Sequence, residues 1–277
     1  MKRFFLIFAA IVLLPLSLSA KDDREGIVAM SYNIRYGEAL DGTNSWRFRA
    51  GASAMMLDDQ RPDVVGLQEA LYSQVEYLGM ALDKYYKIVG VGREDGKKGG
   101  EIEAIMYNKQ TMKLVKWGTF WLSETPDVPS RGWDAAYIRC ATWAILKDKG
   151  NGKKFFIVNT HVDHIGSQAK KNSVKLIVDK IAELNKDNLP VIVTGDFNME
   201  ISNESFGPLK EGFQNARSSA VVTDDHYSFN GWGKSHDTID YIWYRDFSCT
   251  RFETVTKPYA DRTFISDHFP IKAVLVF

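Results

Sequence analysis

The stretch from residue 155 to residue 198 indicates the fold, and two segments bound it: FFIVNTH at 155–161 and PVIVTGDFN at 190–198. Each contains a short apolar run rich in β-branched and aromatic residues, which predicts a strand. Between them, apolar residues recur at helical spacing from Ser167 to Leu184 and predict an amphipathic helix. The first strand ends in His161, and the second ends in Asp196 and Asn198. The stretch therefore predicts a strand, a helix and a second strand, with polar side chains where the strands end.

The first half of the chain repeats this pattern. One strand ends at Asn33, a helix is predicted from Arg47 to Asp58, and the next strand ends at Glu69. Asn33 and Glu69 are 36 positions apart, and His161 and Asp196 are 35 positions apart. Two similar α/β halves predict two sheets packed face to face, with their polar clusters meeting at one edge. In α/β proteins, sites lie at such strand ends.

The remaining apolar runs complete the predicted elements. The predicted strands are Ile27–Tyr32, Val64–Leu67, Ala104–Tyr107, Ala141–Leu146, Phe155–Val158, Val191–Thr194, Ile239–Tyr244 and Ile271–Phe277. A third helix is predicted from Tyr72 to Leu82. No low-complexity segment or linker rich in Pro, Gly or Ser interrupts residues 26–277, which favours one domain.

The first twenty residues follow the pattern of a signal peptide. Lys2 and Arg3 precede an apolar run from Phe4 to Leu16, small residues lead to Ala20, and a polar segment begins at Lys21. The run is shorter than the ~20 residues that a membrane-spanning helix needs, which disfavours an uncleaved anchor. We therefore expect a signal peptide at residues 1–20 and an exported monomeric domain at residues 21–277. That domain would be periplasmic or extracellular, without stable membrane insertion after cleavage.

Charge and cysteine content give weaker constraints. The 35 Lys and Arg residues equal the 35 Asp and Glu residues in number, and removal of residues 1–20 would leave a net charge of −2. No overall positive charge therefore favours a nucleic-acid partner, although a local basic groove would suffice. Export would permit a disulfide between Cys140 and Cys249, but two cysteines alone do not define a pairing.

Five polar motifs lie just after or inside apolar strands and come from the whole length of the chain. They are SYNIR at 31–35, LQE at 67–69, NTH at 159–161, GDFN at 195–198 and SDHFP at 266–270. Each motif alone has a structural explanation, such as a turn or a cap. Asp240 is harder to explain in this way, because a carboxylate inside an apolar strand needs a partner.

The chemistry of the motifs fits one reaction. Carboxylates such as Glu69 and Asp267 suit a hard cation such as Mg²⁺, which neutralises phosphate oxygens. Asp196 could orient or deprotonate an attacking water molecule, and Asn33 and Asn198 offer neutral donors to phosphate. The sequence has no His/Cys cluster with zinc spacing, no Walker loop and no Gly-x-Ser-x-Gly elbow.

The combined motifs resemble the endonuclease/exonuclease/phosphatase superfamily, which includes deoxyribonucleases, inositol-polyphosphate phosphatases and bacterial sphingomyelinases. The resemblance covers residues 27–277 and implies an α/β fold, a four-layer sandwich of two packed mixed sheets flanked by helices. It also implies phosphoester hydrolysis that depends on Mg²⁺, with Mn²⁺ as a possible substitute. The implied roles are metal binding by Glu69, Asn33 and Asp267, water activation by Asp196, phosphate binding by Asn198, and phosphate contact by His268 held by Asp240.

Finer matches point to the deoxyribonuclease-like branch. Arg35 follows Asn33-Ile34 as in that group, and His161 looks like its second histidine. The implied carboxylate partner of His161 is Glu101, with Glu103 as the competing candidate. Arg139 stands where that group has an arginine that contacts phosphate.

Trp121 and Trp133 lie in a segment that is outside the common catalytic set and resembles a secreted bacterial subgroup. We expect them to border the substrate; the alternative is that they anchor the loop in the protein interior. With isolated lysine pairs and an acidic loop, the sequence favours a small or headgroup-sized phosphorylated substrate. The alternatives are a secreted nuclease acting on DNA or RNA, a non-catalytic binding module on the same fold, and a glycosidase that uses two carboxylates.

Overall fold

The computed structural model describes residues 25–277, which form two six-stranded sheets packed face to face. The predicted signal peptide lies outside the described residues, as do residues 21–24 of the predicted domain. Within the described part of the chain, no helix is both long enough and apolar enough to cross a membrane.

The strands are β1 (Ile27–Asn33), β2 (Val64–Gln68), β3 (Ala70–Leu71), β4 (Tyr86–Val89), β5 (Glu101–Ile102), β6 (Ile105–Asn108), β7 (Met112–Trp121), β8 (Cys140–Asp148), β9 (Lys154–His161), β10 (Val191–Asp196), β11 (Gln214–Asn215), β12 (Asp240–Arg245), β13 (Ser248–Thr254) and β14 (Ile271–Val276). The α-helices are α1 (Trp46–Gln60), α2 (Tyr72–Ala81), α3 (Ser167–Leu184), α4 (Gly207–Gly212) and α5 (Ala216–Ser219). Short 3-10 turns span Gly42–Asn44 and Glu204–Phe206.

Both sheets are mixed. The first has the strand order β13-β14-β1-β2-β6-β4, and the second has the order β11-β12-β10-β9-β8-β7. The pair β1 and β2 is parallel and joined through α1, and the pair β9 and β10 is parallel and joined through α3. The other pairs in these sheets are antiparallel. The repeated strand-helix-strand pattern of the sequence is therefore confirmed, with one unit in each sheet.

Three apolar clusters separate four layers. A central cluster joins the two sheets through side chains such as Ala29, Val64 and Ile192. A second packs α3 against the outer face of the second sheet, and a third packs α1 and α2 against the outer face of the first. Because side chains alternate across a strand, β1 contributes Ile27 and Ala29 to the central cluster and Met30 to the outer one. This is the predicted four-layer α/β sandwich.

The sequence did not predict four strands of the two main sheets, β4, β7, β11 and β13, and each of them lies at a sheet edge. Strand β7 pairs with β8 alone, carries a bulge between Leu114 and Lys116, and exposes much of its length. Its lysines interrupt the apolar run that would otherwise mark a strand. Edge strands tolerate such residues because one side faces solvent. Cys140 and Cys249 are both buried free thiols, so the disulfide that export would permit is not formed.

The facing surfaces of the two sheets become polar toward one edge. There the Gln68 amide donates a 2.6 Å hydrogen bond to the Asn159 side chain on the opposite sheet. Any side chain at Gly66 would collide with Asn159 and Thr194, so glycine is what allows the sheets to approach this closely. The predicted strand-end clusters therefore meet between the sheets.

Candidate active site

The strand ends carry the predicted site residues to one edge of the sandwich. Asn33 ends β1, Glu69 follows β2, His161 ends β9 and Asp196 ends β10. Asp240 begins β12, which runs antiparallel to β10, so the two carboxylates lie opposite each other in register. The segment before β14 brings Asp267 and His268 to the same edge because β14 runs antiparallel to β1.

Apart from Asn33 and Asp240, these side chains line one cavity of about 610 Å³. Its lining residues are Arg35, Tyr36, Glu69, Arg93, Glu94, Gly100, Glu101, Tyr137, Arg139, His161, His164, Asp196, Asn198, Phe229, Ile239, Asp267 and His268. The cavity lining therefore contains nine of the thirteen residues predicted for the site and several that the sequence did not indicate.

Asp196 lies at the centre of the buried polar groups. One carboxylate oxygen accepts a 2.9 Å hydrogen bond from the Asn33 amide, and the other accepts one of 2.9 Å from the backbone N–H of Asn198. The Nε2 atoms of His161 and His268 lie 3.6 and 3.7 Å from the Asp196 carboxylate. Burial, reinforced by the nearby charge of Asp240, raises the pKa of Asp196 to about 7. A carboxyl group in this range can exchange a proton with water near neutral pH.

His268 is paired with Asp240 through a 2.8 Å contact between its Nδ1 and a carboxylate oxygen. Burial opposes protonation of the ring, but the charge and hydrogen bond of Asp240 outweigh it and raise the pKa of His268 to about 10. The ring also packs against Phe229, with centroids 4.8 Å apart. His268 is therefore an oriented imidazolium at neutral pH, as the predicted phosphate contact requires.

Glu69 occupies a backbone conformation that is rare for a residue other than glycine, with φ of 59°. Its two carboxylate oxygens accept hydrogen bonds of 3.0 Å from the Asn33 amide and 2.7 Å from the Tyr36 backbone N–H. Potential ligand atoms of Glu69, Asp196 and His268 lie within 4.8 Å of one another. Strained backbone at a buried polar cluster is typical of functional sites.

The carboxylates fit a hard divalent cation. Burial raises the pKa of Asp267, and its oxygen lies 3.5 Å from Nε of Arg35. A bound cation would offset the free energy that burial of these charges costs. Asn33 directs its amide nitrogen toward Glu69 and Asp196, and its oxygen accepts from the backbone N–H of Arg35 at 2.9 Å. Asn33 therefore bridges the carboxylates, and its role as a metal ligand stays a prediction.

His161 has only part of the predicted environment. Its Nε2 lies 2.8 Å from the Asn198 amide, so the amide predicted to bind phosphate also contacts this ring. Its Nδ1 lies 3.9 Å from Glu101, too far for a hydrogen bond, because Glu101 accepts a 2.6 Å hydrogen bond from Arg93. The expected direct Glu101–His161 hydrogen bond is therefore not formed.

Glu103, the competing candidate, forms a cluster with Glu101 and His161. Potential metal-ligand atoms of these three residues lie within 4.8 Å of one another. Neither oxygen of Glu103 nor Nδ1 of His161 has a hydrogen-bond partner in the part of the chain that the structure describes. Burial, with the charge of Glu101, raises the pKa of Glu103 to about 8. A protonated Glu103 beside a neutral His161 would avoid two uncompensated buried charges.

The arginines on the cavity wall are already paired. Arg35 donates hydrogen bonds of 3.0 and 3.1 Å to Asp41, which makes a bidentate contact. Arg139 lies 3.5 Å from Asp163 and 3.3 Å from Nδ1 of His164. Both face the cavity as predicted, but each charge is largely balanced by an acidic neighbour.

The two predicted tryptophans are not on the cavity wall. Trp121 is buried, and its indole N–H donates a 2.6 Å hydrogen bond to the backbone carbonyl of Arg93. The backbone N–H of Trp133 is held by Glu124, at 3.2 and 3.3 Å from the two carboxylate oxygens. The next residue, Asp134, accepts a 2.7 Å hydrogen bond from Ala169 in the first turn of α3. Trp121 is therefore a buried loop anchor and not the expected substrate contact, whereas substrate contact by Trp133 stays a prediction.

The sequence analysis missed Arg93, Glu94, Tyr137 and His164, all of which line the cavity. They lie in loops before β5, before β8 and after β9, where hydrophobic periodicity gives no signal. The sequence carries one local hint: Arg93 stands in the glycine-rich run GVGREDGKKGG at 90–100, which marks an irregular loop.

The two-sheet sandwich and the buried carboxylate, amide and imidazole groups at its edge define a hydrolase of the phosphoesterase class. The chain belongs to the endonuclease/exonuclease/phosphatase family, whose sequence pattern matches residues 30–268. Enzymes of this family generally depend on a divalent metal. The cluster of Glu69, Asp196 and His268 is a candidate site for such an ion.

Solved structures support this membership. A mannosyl-6-phosphatase of Bacteroides thetaiotaomicron is 35% identical, covers 91% of this chain and 100% of its own, and superposes with a TM-score of 0.87. An endonuclease/exonuclease/phosphatase from Bacteroides vulgatus is 34% identical over 91% of this chain and 99% of its own, with a TM-score of 0.85. The catalytic domain of human Nocturnin is 19% identical over 91% of this chain and 93% of its own, at a TM-score of 0.71, which shows likeness of fold alone.

Proposed function

We propose that the protein hydrolyses a small or headgroup-sized phosphorylated substrate in a reaction that depends on Mg²⁺, with Mn²⁺ able to replace it. The observation that carries this proposal is the composition of the cavity. Its three arginines, Arg35, Arg93 and Arg139, each contact a carboxylate within 3.5 Å. Five carboxylates share the lining, so the cavity offers little uncompensated positive charge to a polyanion.

Asp196 is the proposed general base. Its hydrogen bonds from Asn33 and from the Asn198 backbone fix both carboxylate oxygens, so an attacking water would meet an oriented acceptor. Its raised pKa of about 7 places proton transfer in the neutral range. Asn198 stands beside it and is the proposed amide donor to the phosphate.

His268 is the proposed contact for negative charge that develops on phosphate oxygens. Asp240 holds Nδ1 at 2.8 Å, which leaves Nε2 on the cavity side, 3.7 Å from Asp196. A preorganised imidazolium stabilises the transition state without reorganisation during the reaction.

Glu69, with Asp267 nearby, is the proposed site for the cation. When bound there, the cation supplies Lewis-acid stabilisation of the phosphate oxygens and of the leaving group. The chain's own contribution is to hold both Glu69 oxygens through Asn33 and Tyr36. The oxygen-rich donor set is the reason to propose Mg²⁺ rather than a softer metal.

Similarity to the Bacteroides thetaiotaomicron mannosyl-6-phosphatase also supports a small phosphorylated substrate. Nucleic acid is the second candidate, because Arg35 and Arg139 lie on the cavity wall and could face a phosphate backbone. Duplex binding, however, draws its affinity from phosphate neutralisation by free Lys and Arg, which the paired arginines do not provide.

Hydrolysis of a panel of sugar phosphates, inositol phosphates, nucleotides, phospholipids and bis(p-nitrophenyl) phosphate, with Mg²⁺ and with chelator, tests the proposal. We expect turnover of a small member, loss of turnover with chelator, and a loss of at least ~10²-fold in kcat for Asp196→Asn and for His268→Ala. Glu211→Gln, at an exposed position of α4, is the control and should keep full activity. No turnover of any small phosphoester with either metal would contradict the proposal.

A plasmid-nicking assay at low salt separates the two candidate substrates. Efficient Mg²⁺-dependent nicking that Asp196→Asn abolishes would establish the nuclease and overturn the small-substrate proposal. We expect no nicking under conditions in which the small phosphoester is turned over.

We also propose that the protein is exported after removal of residues 1–20, on the strength of the signal-peptide pattern. N-terminal sequencing of protein from the native host should find a start near Lys21 in the periplasmic or extracellular fraction. An intact Met1 would contradict cleavage and support a membrane anchor.

A further inference from the structure

We propose that the cavity contains a subsite for the sugar ring of a sugar phosphate, with Tyr137 as the surface on which the ring stacks. The ring subsite consists of Arg93, Glu94, Tyr137, Arg139 and His164, all on the cavity wall and none with a role in the proposed reaction. This inference rests on the proposed function, since it concerns the leaving group of the same substrate.

Tyr137 is an exposed aromatic residue in a polar cavity. Tyr137 is 54% exposed. The ring stacks on His164, with centroids 5.8 Å apart and planes 19° apart. The guanidinium carbons of Arg93 and Arg139 lie 5.7 and 5.8 Å from its centroid. An aromatic face held at the wall of a cavity suits the polarised C–H groups of a pyranose ring.

Asp163 holds Tyr137 in place from behind the cavity wall. This fully buried carboxylate accepts hydrogen bonds from the backbone N–H groups of Ala136 at 3.0 Å and Tyr137 at 3.3 Å. It also lies 3.5 Å from Arg139 and accepts from Gly166 at 2.8 Å. The loop that carries Tyr137 is therefore tied to the loop after β9, which preorganises the ring for a ligand.

The charges of the subsite favour hydroxyl groups over a second phosphate. Arg93 is 5% exposed and forms a 2.6 Å ion pair with Glu101, and Arg139 is paired with Asp163. The two guanidinium groups thus offer N–H donors without uncompensated charge. Glu94 is exposed on the same wall and adds a negative charge that would repel a second phosphate. The paired guanidinium donors beside the exposed Glu94 carboxylate match the vicinal hydroxyls of a neutral sugar.

Kinetics with two phosphoesters tests the subsite. Mannose 6-phosphate carries a sugar ring, and glycerol 3-phosphate carries hydroxyls without a ring. We expect Tyr137→Ala to raise KM for mannose 6-phosphate about ten-fold, with kcat for this substrate and kcat/KM for glycerol 3-phosphate unchanged. Tyr137→Phe keeps the ring face and should match the unmodified protein. Equal KM values for Tyr137→Ala and the unmodified protein, or equal losses on both substrates, would overturn the subsite.

A binding measurement separates failure of the subsite from failure of the proposed function. Saturation-transfer NMR with mannose 6-phosphate in the presence of chelator reports contact of the sugar protons without turnover. We expect transfer to the ring protons in the unmodified protein and in Tyr137→Phe, and loss of transfer in Tyr137→Ala. If the proteins show this NMR pattern but the unmodified protein hydrolyses no phosphoester, the proposed function is refuted and the subsite is not. If the protein hydrolyses mannose 6-phosphate but saturation transfer to the sugar protons is equal in all three proteins, the subsite is refuted and the proposed function is not.

Discussion

The side-chain amide of Asn33 donates a 2.9 Å hydrogen bond to Asp196, which lies 163 positions later in the chain and in the other sheet. The same amide donates a 3.0 Å hydrogen bond to Glu69. One side chain therefore sets the distance between the carboxylate proposed to activate water and the carboxylate proposed to bind metal. The packing of the two sheets is in this way coupled directly to the geometry of the site.

Asn33→Ala should lower kcat by about 10–10²-fold, because both carboxylates lose the donor that positions them. The measurement is kcat on the substrate found in the panel, at saturating Mg²⁺. Asn108→Ala is the matched control, since Asn108 is also a buried asparagine at a strand end, but its side-chain oxygen accepts from the backbone N–H of Gln110. The control should change stability without changing kcat. Full turnover by Asn33→Ala at normal metal concentration would refute the bridging role.

Asp240→Asn should lower kcat by at least ~10²-fold, because the substitution keeps the shape and removes the charge that maintains His268 as an imidazolium. Metal titration of this variant should be unchanged, since Asp240 contacts His268 through Nδ1 and is not in the cavity lining. The exposed neighbour Asp237 provides the control substitution Asp237→Asn. A variant with normal kcat at pH 7 would show that His268 does not need this partner.

Glu69→Gln should raise the Mg²⁺ concentration for half-maximal activity by about ten-fold or more, because a carboxylate ligand becomes a neutral amide. Activity as a function of Mg²⁺, together with calorimetric titration of the metal, measures the change. Glu76→Gln on the exposed face of α2 is the control and should titrate normally. An unchanged titration in Glu69→Gln would remove Glu69 from the ligand role.

Asp163 should make the stability of the fold sensitive to acid. Burial opposes its ionisation, but N–H donors from Gly166, Ile165 and Ala136 lower the pKa of Asp163 to about 2. Because the pKa in the folded protein is below that in the unfolded chain, the ionised group stabilises the fold above about pH 4. This stabilisation is lost as the pH falls toward the folded-state pKa.

Asp163→Asn should therefore reduce the free energy of unfolding at neutral pH by about 1–2 kcal/mol and weaken its pH dependence in acid. Urea unfolding at pH values from 7 down to 3 measures both effects. Asp187→Asn, at an exposed position after α3, should leave both quantities unchanged. Parallel pH profiles for Asp163→Asn and the unmodified protein would contradict the assignment.

The outcome for Trp121 shows where reasoning from sequence failed. An aromatic residue in a loop rich in Asp and Glu predicts either a substrate contact or an anchor, and composition does not distinguish them. Trp121 ends β7 and turns inward, where it donates to the carbonyl of Arg93. Its burial supports Arg93, which is the residue that faces the cavity. Among the residues that line the cavity, the exposed aromatic is Tyr137, which has no recognisable motif around it.

The four-layer arrangement was implied by the family resemblance. The residue pattern alone predicted the two strand-helix-strand units and the polar residues at the strand ends. These features are local, because periodicities of 2.0 and 3.6 and the residues that end a strand are written in consecutive positions. Helix α3 was predicted with its observed limits from Ser167 to Leu184 for this reason.

Which of these residues contact one another depends on the tertiary structure. The packing of one sheet on the other places Asn33 on Asp196, and strand pairing in the second sheet places Asp240 opposite Asp196. The sequence also did not predict that Glu101 bonds Arg93 and not His161, because this choice depends on loops that approach each other in space. Contacts between segments distant in the sequence depend on how the whole core packs, and no short stretch of sequence determines that packing.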